Sequence, residues 1–198
     1  MSALDILSVA SSAFALVGLA EIGDKSQLVC ISLAARHRHW PVLLGASAAF
    51  LLLNALAVLF GAGVAVWLPE RAVAGLVALL FAVFGIQALR ASAEAEVVEP
   101  VAASGRGIFA TTFALVFVAE FGDKTQLAVA GLAGGFDPLG VWLGASAALV
   151  TLSALGVWAG CTLFQRLPLT WLHRAGGGLF LAFALLAAGR ALGWSVSP

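Results

Sequence analysis

The sequence predicts an all-α polytopic membrane protein, with six transmembrane helices built as two inverted-topology repeats of three. Three observations predict it. Of 198 residues, 62% are hydrophobic and only 10% charged, whereas soluble domains carry roughly 25% charged residues. The apolar residues gather into six segments, each close to or above the ~20 residues that a helix needs to cross a bilayer. One charged stretch, Glu21-Ile22-Gly23-Asp24-Lys25-Ser26-Gln27-Leu28, returns 99 residues later as Glu120-Phe121-Gly122-Asp123-Lys124-Thr125-Gln126-Leu127.

Taken in order, the first segment runs from about Ile6 to Ala35 and ends at Arg36-His37-Arg38-His39. Met1 to Ala20 lacks the basic residues that precede a signal-peptide core, so it reads as the start of a retained first helix. The second segment begins near Pro41, a residue suited to a helix start, and continues to about Trp67. Leu68-Pro69-Glu70-Arg71 is a tight connection to the third, which ends near Leu89. Residues 91–106 form the polar linker, with Glu94, Glu96, Glu99 and Pro100. The fourth segment covers about Ile108 to Ala133, the fifth about Leu139 to Phe164 and the sixth about Trp171 to Leu192. Only helices satisfy the backbone in lipid, so each is read as a helix. Close helix packing is expected around Gly61-Ala62-Gly63 and Gly176-Gly177-Gly178. Cys30 and Cys161 lie inside apolar segments, match no metal or redox spacing, and read as buried and inert.

The repeat reaches beyond the motif. Phe14-Ala15-Leu16-Val17 reappears as Phe113-Ala114-Leu115-Val116, and Gly45-Ala46-Ser47-Ala48-Ala49 as Gly144-Ala145-Ser146-Ala147-Ala148, both at the same offset. The third and sixth segments align only loosely, through Arg71-Ala72 with Gly75-Leu76 and Arg174-Ala175 with Gly178-Leu179. The chain is therefore one membrane domain, 1–198, holding repeat one at about 1–93 and repeat two at about 107–198. Three helices per unit is an odd number, so the second unit enters the membrane from the opposite side. Arg36, Arg38, Arg90, Arg106, Arg166 and Arg174 mark one side and only Arg71 and Arg190 the other. That asymmetry puts the acidic linker in the cytoplasm and both termini outside.

The motif carries the chemistry. On a continuous helix, Glu21, Asp24, Lys25 and Leu28 share an arc of about 100°; Ser26 points elsewhere unless the helix opens at Gly23, which glycine permits. Glu21 and Glu120 fall near the middle of their segments, so inverted symmetry brings the motifs together at mid-membrane. Intramembrane acids of this kind default to function. Glu21, Asp24, Glu120 and Asp123 against Lys25 and Lys124 leave a net charge of −2, which one divalent cation neutralises. The donors are oxygens, with Gln27, Gln126, Ser26 and Thr125 in support, and no His, Cys or Met repeats with them; calcium, manganese or magnesium fits such a set. Ser47 and Asn54 on the second helix, matched by Ser146 and Ser153 on the fifth, either extend this shell or serve helix packing. Clustered carboxylates take up protons when the metal leaves, which makes exchange of metal for protons natural. The lysines could then pair with the emptied acids.

Glu-x-Gly-Asp-Lys-Ser/Thr, once in each half of a six-helix chain, resembles the signature of the transmembrane-protein-165 family, the calcium/cation antiporter-2 group. With the Gly-Ala-Ser starts of helices two and five and the acidic central loop, the resemblance covers most of the chain. It implies transport of manganese or calcium against protons, with Glu21, Asp24, Glu120 and Asp123 as ligands. The short length resembles bacterial members that expel manganese across the inner membrane. No enzyme activity and no cofactor are expected, the partners being the ion, protons and the lipid bilayer; self-association into a homo-oligomer stays open. A membrane chain of about this length also fits two other classes. A small-solute exporter, for example of amino acids, would need an arrangement to hold both a carboxylate and an amine, which paired acids serve poorly. An intramembrane lipid phosphatase would need arginines beside the acids, and every arginine lies at a membrane edge. Net charge is zero with no basic stripe, so no nucleic-acid partner is expected.

Overall fold

A backbone surrounded by lipid has no water to bond with, and the long apolar segments meet that condition as helices. The computed structural model describes residues 3–90, 107–166 and 169–193. They form α1 (Ala3–Glu21), α2 (Lys25–Ala34), α3 (His39–Trp67), α4 (Glu70–Arg90), α5 (Ile108–Glu120), α6 (Lys124–Gly135), α7 (Pro138–Arg166) and α8 (Leu169–Ala191). No strand occurs among the described residues. The acidic linker with Arg106, and the side chains of Lys25, Cys161 and Arg166, lie outside the described residues.

Two of the six expected segments are each split in two. The first becomes α1 and α2 and the fourth becomes α5 and α6, with the interruption inside the charged motif both times. By length and apolarity α1, α3, α4 and the Pro138–Trp158 part of α7 can each cross a membrane, and α5 is a shorter apolar helix. Large apolar side chains such as Leu59, Val66 and Leu185 cover the outside, as lipid requires. Trp40 and Trp67, both exposed, stand near opposite ends of α3. At 1.5 Å per residue they are about 40 Å apart, matching a bilayer with its headgroup layers, where Trp concentrates.

Helices from the two halves interlock. α3 and α7 cross antiparallel: Trp40 meets Trp158 edge-on at 5.5 Å, and further along Trp142 Nε1 donates to the Leu51 carbonyl at 3.2 Å. α4 and α8 are also antiparallel, through Phe81 against Phe180 at 5.6 Å and Gly85 against Gly177. α1 packs along α7 as α5 packs along α3. The closest approaches in these two pairs correspond residue for residue. A Cβ on Gly144 would run into the Ala10 carbonyl, and one on Gly45 into the Phe109 carbonyl. Gly45 and Gly144 are 99 residues apart, and so are Ala10 and Phe109. Of the expected glycine contacts, Gly61 lies against the Ala130 backbone, Gly176 faces the Leu19 carbonyl and Gly177 faces the Gly85 carbonyl. Gly63 and Gly178 have nothing within 4 Å. The core between the helices is built mostly of small and medium residues, including Leu16, Val17, Val42, Val116, Val129 and Val141, with Phe50, Phe81 and Phe180 as its large members.

Gly144→Val would force α1 and α7 apart, because the obstructing atom is backbone and cannot swing away. Thermal unfolding in detergent should show a loss of about 1–3 kcal/mol, the usual cost of overpacking. Gly63→Val, where the space is open, should leave the transition in place.

Candidate cation site

The site is made by two helix breaks. Gly23 and Gly122 adopt φ values of 86° and 81°, a left-handed conformation that glycine reaches without steric penalty. Beyond each break the chain closes a short turn, Asp24 N–H to the Glu21 carbonyl and Asp123 N–H to the Glu120 carbonyl, both at 3.2 Å. The glutamine four residues on then locks the glycine. Gln27 Oε1 accepts from the Gly23 N–H at 2.9 Å, and Gln126 Oε1 from the Gly122 N–H at 2.6 Å. Asp123 stands at the N-cap of α6 without a side-chain capping bond, so its carboxylate is not spent on the helix end. The shared face on one continuous helix, expected from the spacing, is therefore replaced by a helix end, a turn and a helix start. The physical reason is the positive φ, and this is the opening at Gly23 that frees Ser26 to turn inward.

Each motif binds the other's acids. Thr125 Oγ1 donates to Glu21 Oε1, and the Ser26 hydroxyl donates to the Glu120 carboxylate. Lys124 Nζ lies 3.0 Å from Asp24 Oδ2. Glu21, Asp24 and Asp123 each place a carboxylate oxygen within 4.8 Å of the others. Glu120 is buried nearby on Ser26 and falls outside that group of three. Glu21 is 1% exposed, yet its Oε2 has no hydrogen-bond partner, and neither does the buried Gln27 Nε2. An orphaned carboxylate oxygen in a dry interior is costly unless something else binds it. Oxygen donors converging from both halves suit a hard divalent cation.

The remaining expected residues sit around this centre. Asn54 Nδ2 donates to Ser146 Oγ at 3.1 Å, a buried link between α3 and α7. Ser47 is half-buried on α3. Ser153 hydrogen-bonds the buried Cys30 thiol. Gln126 Nε2 reaches the Leu53 carbonyl at 3.3 Å, tying the second motif to α3. That carbonyl carried no sequence signal, since any residue supplies one; only the neighbouring Asn54 marked the place.

Comparison with known proteins bears on this geometry. The model of the family described as "Divalent cation/proton antiporter GDT1" matches residues 9–96 and 108–194, nearly the whole chain and both motifs. This chain belongs to the GDT1 family. Among its relatives, GDT1-like protein sll0615 of Synechocystis is 31% identical, covering 92% of this chain and 97% of its own. A Vibrio cholerae protein named "Putative manganese exporter" is 32% identical, covering 92% of each. GDT1-like protein 3 of Arabidopsis thaliana is 29% identical over 88% of this chain and 68% of its own. No solved structure matches. As a GDT1 member the chain is a divalent cation/proton antiporter, a transporter and not an enzyme. The small-solute and phosphatase alternatives accordingly fall away.

Gly23→Ala and Gly122→Ala put a side chain on a left-handed backbone, at about 1–2 kcal/mol each. Gly122 has open space around its Cα, so the strain there is conformational alone. Thermal unfolding should therefore show Gly122→Asn, which tolerates that region better, as milder than Gly122→Ala.

Proposed function

We propose that the chain exports manganese in exchange for protons, with Glu21, Asp24 and Asp123 holding the ion between the two halves and Glu120 completing the set from its place on Ser26. The observation that carries this reading is the convergence of three carboxylates from both motifs, one with an unpartnered oxygen in a buried position. Thr125 and Ser26 orient the glutamates; Gln27 and Gln126 hold the turns that aim the aspartates. Calcium would satisfy the same oxygens, and the Vibrio relative's name tips the preference toward manganese.

Exchange needs a site that is stable both loaded and empty. Lys124 supplies the empty state's cation by pairing with Asp24 across the halves, and an incoming divalent ion displaces it. Protons neutralise the acids in the other half of the cycle. Six crossings in two inverted repeats, at about 1–93 and 107–198 in one membrane domain, are supported by the 99-residue offset and by α3 and α7 crossing antiparallel. Such repeats hold their site at the midplane and rock around it. The arginine asymmetry favours both termini outside and the acidic loop cytoplasmic, and the likeness to the Vibrio protein supports a bacterial inner-membrane placement.

Purified protein in liposomes should take up manganese when a proton gradient is imposed, with calcium slower and magnesium slowest. Glu21→Gln and Asp123→Asn should each cut that flux by about tenfold or more, equivalent to at least ~1.4 kcal/mol. Intact flux in both variants would remove the site assignment.

A further inference from the structure

Away from the acids lies a cavity of about 630 Å³ that nothing above uses. Its walls come from α1, α4, α6 and α8. Glu70, the first residue of α4, and Arg190, in the last turn of α8, stand at its mouth, and Phe81 lies at its inner end. From Glu70 to Phe81 the helix rises about 16 Å, roughly half the hydrocarbon core. The mouth is at the membrane face opposite the Arg36, Arg38 and Arg90 ends.

We propose that this cavity is the outer vestibule of the transport path, admitting water, protons and the divalent cation, and that the Phe81 cluster is its closed gate. The proposal rests on the antiporter reading above. Three features support it. The seam between α4 and α8 is close-packed, since a Cβ added to Gly85 or to Gly177 would lie 3.0 Å from the other's carbonyl oxygen and one on Gly75 would touch Ala191 at 4.0 Å. Lipid chains have no entry through that seam. Its floor is aromatic: Phe81, fully buried, meets Phe180 at 5.6 Å and Phe183 at 6.1 Å, both edge-on. Apolar constrictions of this kind block ions by excluding water and open with small displacements. Directly behind the floor is the site's own helix. The Phe81 ring lies 3.6 Å from where a Gly131 Cβ would be, and Gly131 is seven residues along α6 from Lys124, about 10 Å.

The rim is held by two contacts of Arg190 that opening would have to break or carry along. The Arg190 guanidinium sits 4.9 Å over the Phe136 ring and Nη1 donates to the Gly135 carbonyl at 3.4 Å, fastening the end of α6 to α8.

The test uses full-length protein with Cys30 and Cys161 replaced by alanine, and single cysteines at Ala74 or Ala187 in the wall. A membrane-impermeant thiosulfonate added outside whole cells should modify both and slow manganese export. Modification only from the cytoplasmic face, or export unchanged after complete modification, would overturn the vestibule. Gly131→Cys probes beneath the floor and should react about tenfold faster when combined with Phe81→Ala, as expected when a closed state loses its advantage. Equal rates with and without Phe81 would remove the gate. Labelling is read whether or not flux is present, so the antiporter reading fails separately, by absent proton-driven flux in unmodified protein.

Discussion

Charge carried into the middle of a membrane must be partnered, and in this chain each half depends on the other for its partners. Thr125 serves Glu21, Ser26 serves Glu120 and Lys124 serves Asp24. Left alone in lipid, each motif would hold two acids against one lysine, a charge its own residues do not cancel. That mutual dependence explains why the two halves interlock along α3 and α7 instead of sitting side by side. It also makes the site an interface, so anything that slides the halves apart changes the site directly.

The glycine breaks convert sequence spacing into convergence. A continuous helix would present Glu21 and Asp24 along one flank of a cylinder, with their backbone polar groups consumed by the helix. Interrupting it at Gly23 and Gly122 ends one helix and starts another beside the acids. The turned chain then lets hydroxyls and carboxylates reach across to the opposite half. Gln27 and Gln126 stabilise the bend by bonding the glycine amides, which leaves the aspartates for other work. Close approaches at Gly45 and Gly144 bring the supporting helices near enough for these short side chains to meet.

Much of this was legible in the sequence because the signals were compositional or repeated. Long apolar runs gave helices, and the motif pair gave the acids, of which Glu21, Asp24 and Asp123 lie together while Glu120 lies nearby on Ser26. What escaped the sequence were relations that exist only after folding. Spacing cannot say that Lys124 pairs with Asp24, or that Glu120 stands apart from the group of three, since both depend on how the two glycine breaks meet. The split of the first and fourth segments was foreshadowed by glycine but not required by it, since a mid-helix glycine is also tolerated. A backbone acceptor such as the Leu53 carbonyl has no sequence signature at all.

The central claim is that two motifs make one site, and the stoichiometry of metal binding tests it most directly. Manganese titrated into the purified protein and followed by electron paramagnetic resonance should saturate at one ion per chain. Glu21→Gln alone and Asp123→Asn alone should each weaken that single binding event, though the substitutions lie in different halves. Two ions per chain, each surviving the loss of the other motif's acid, would contradict the account.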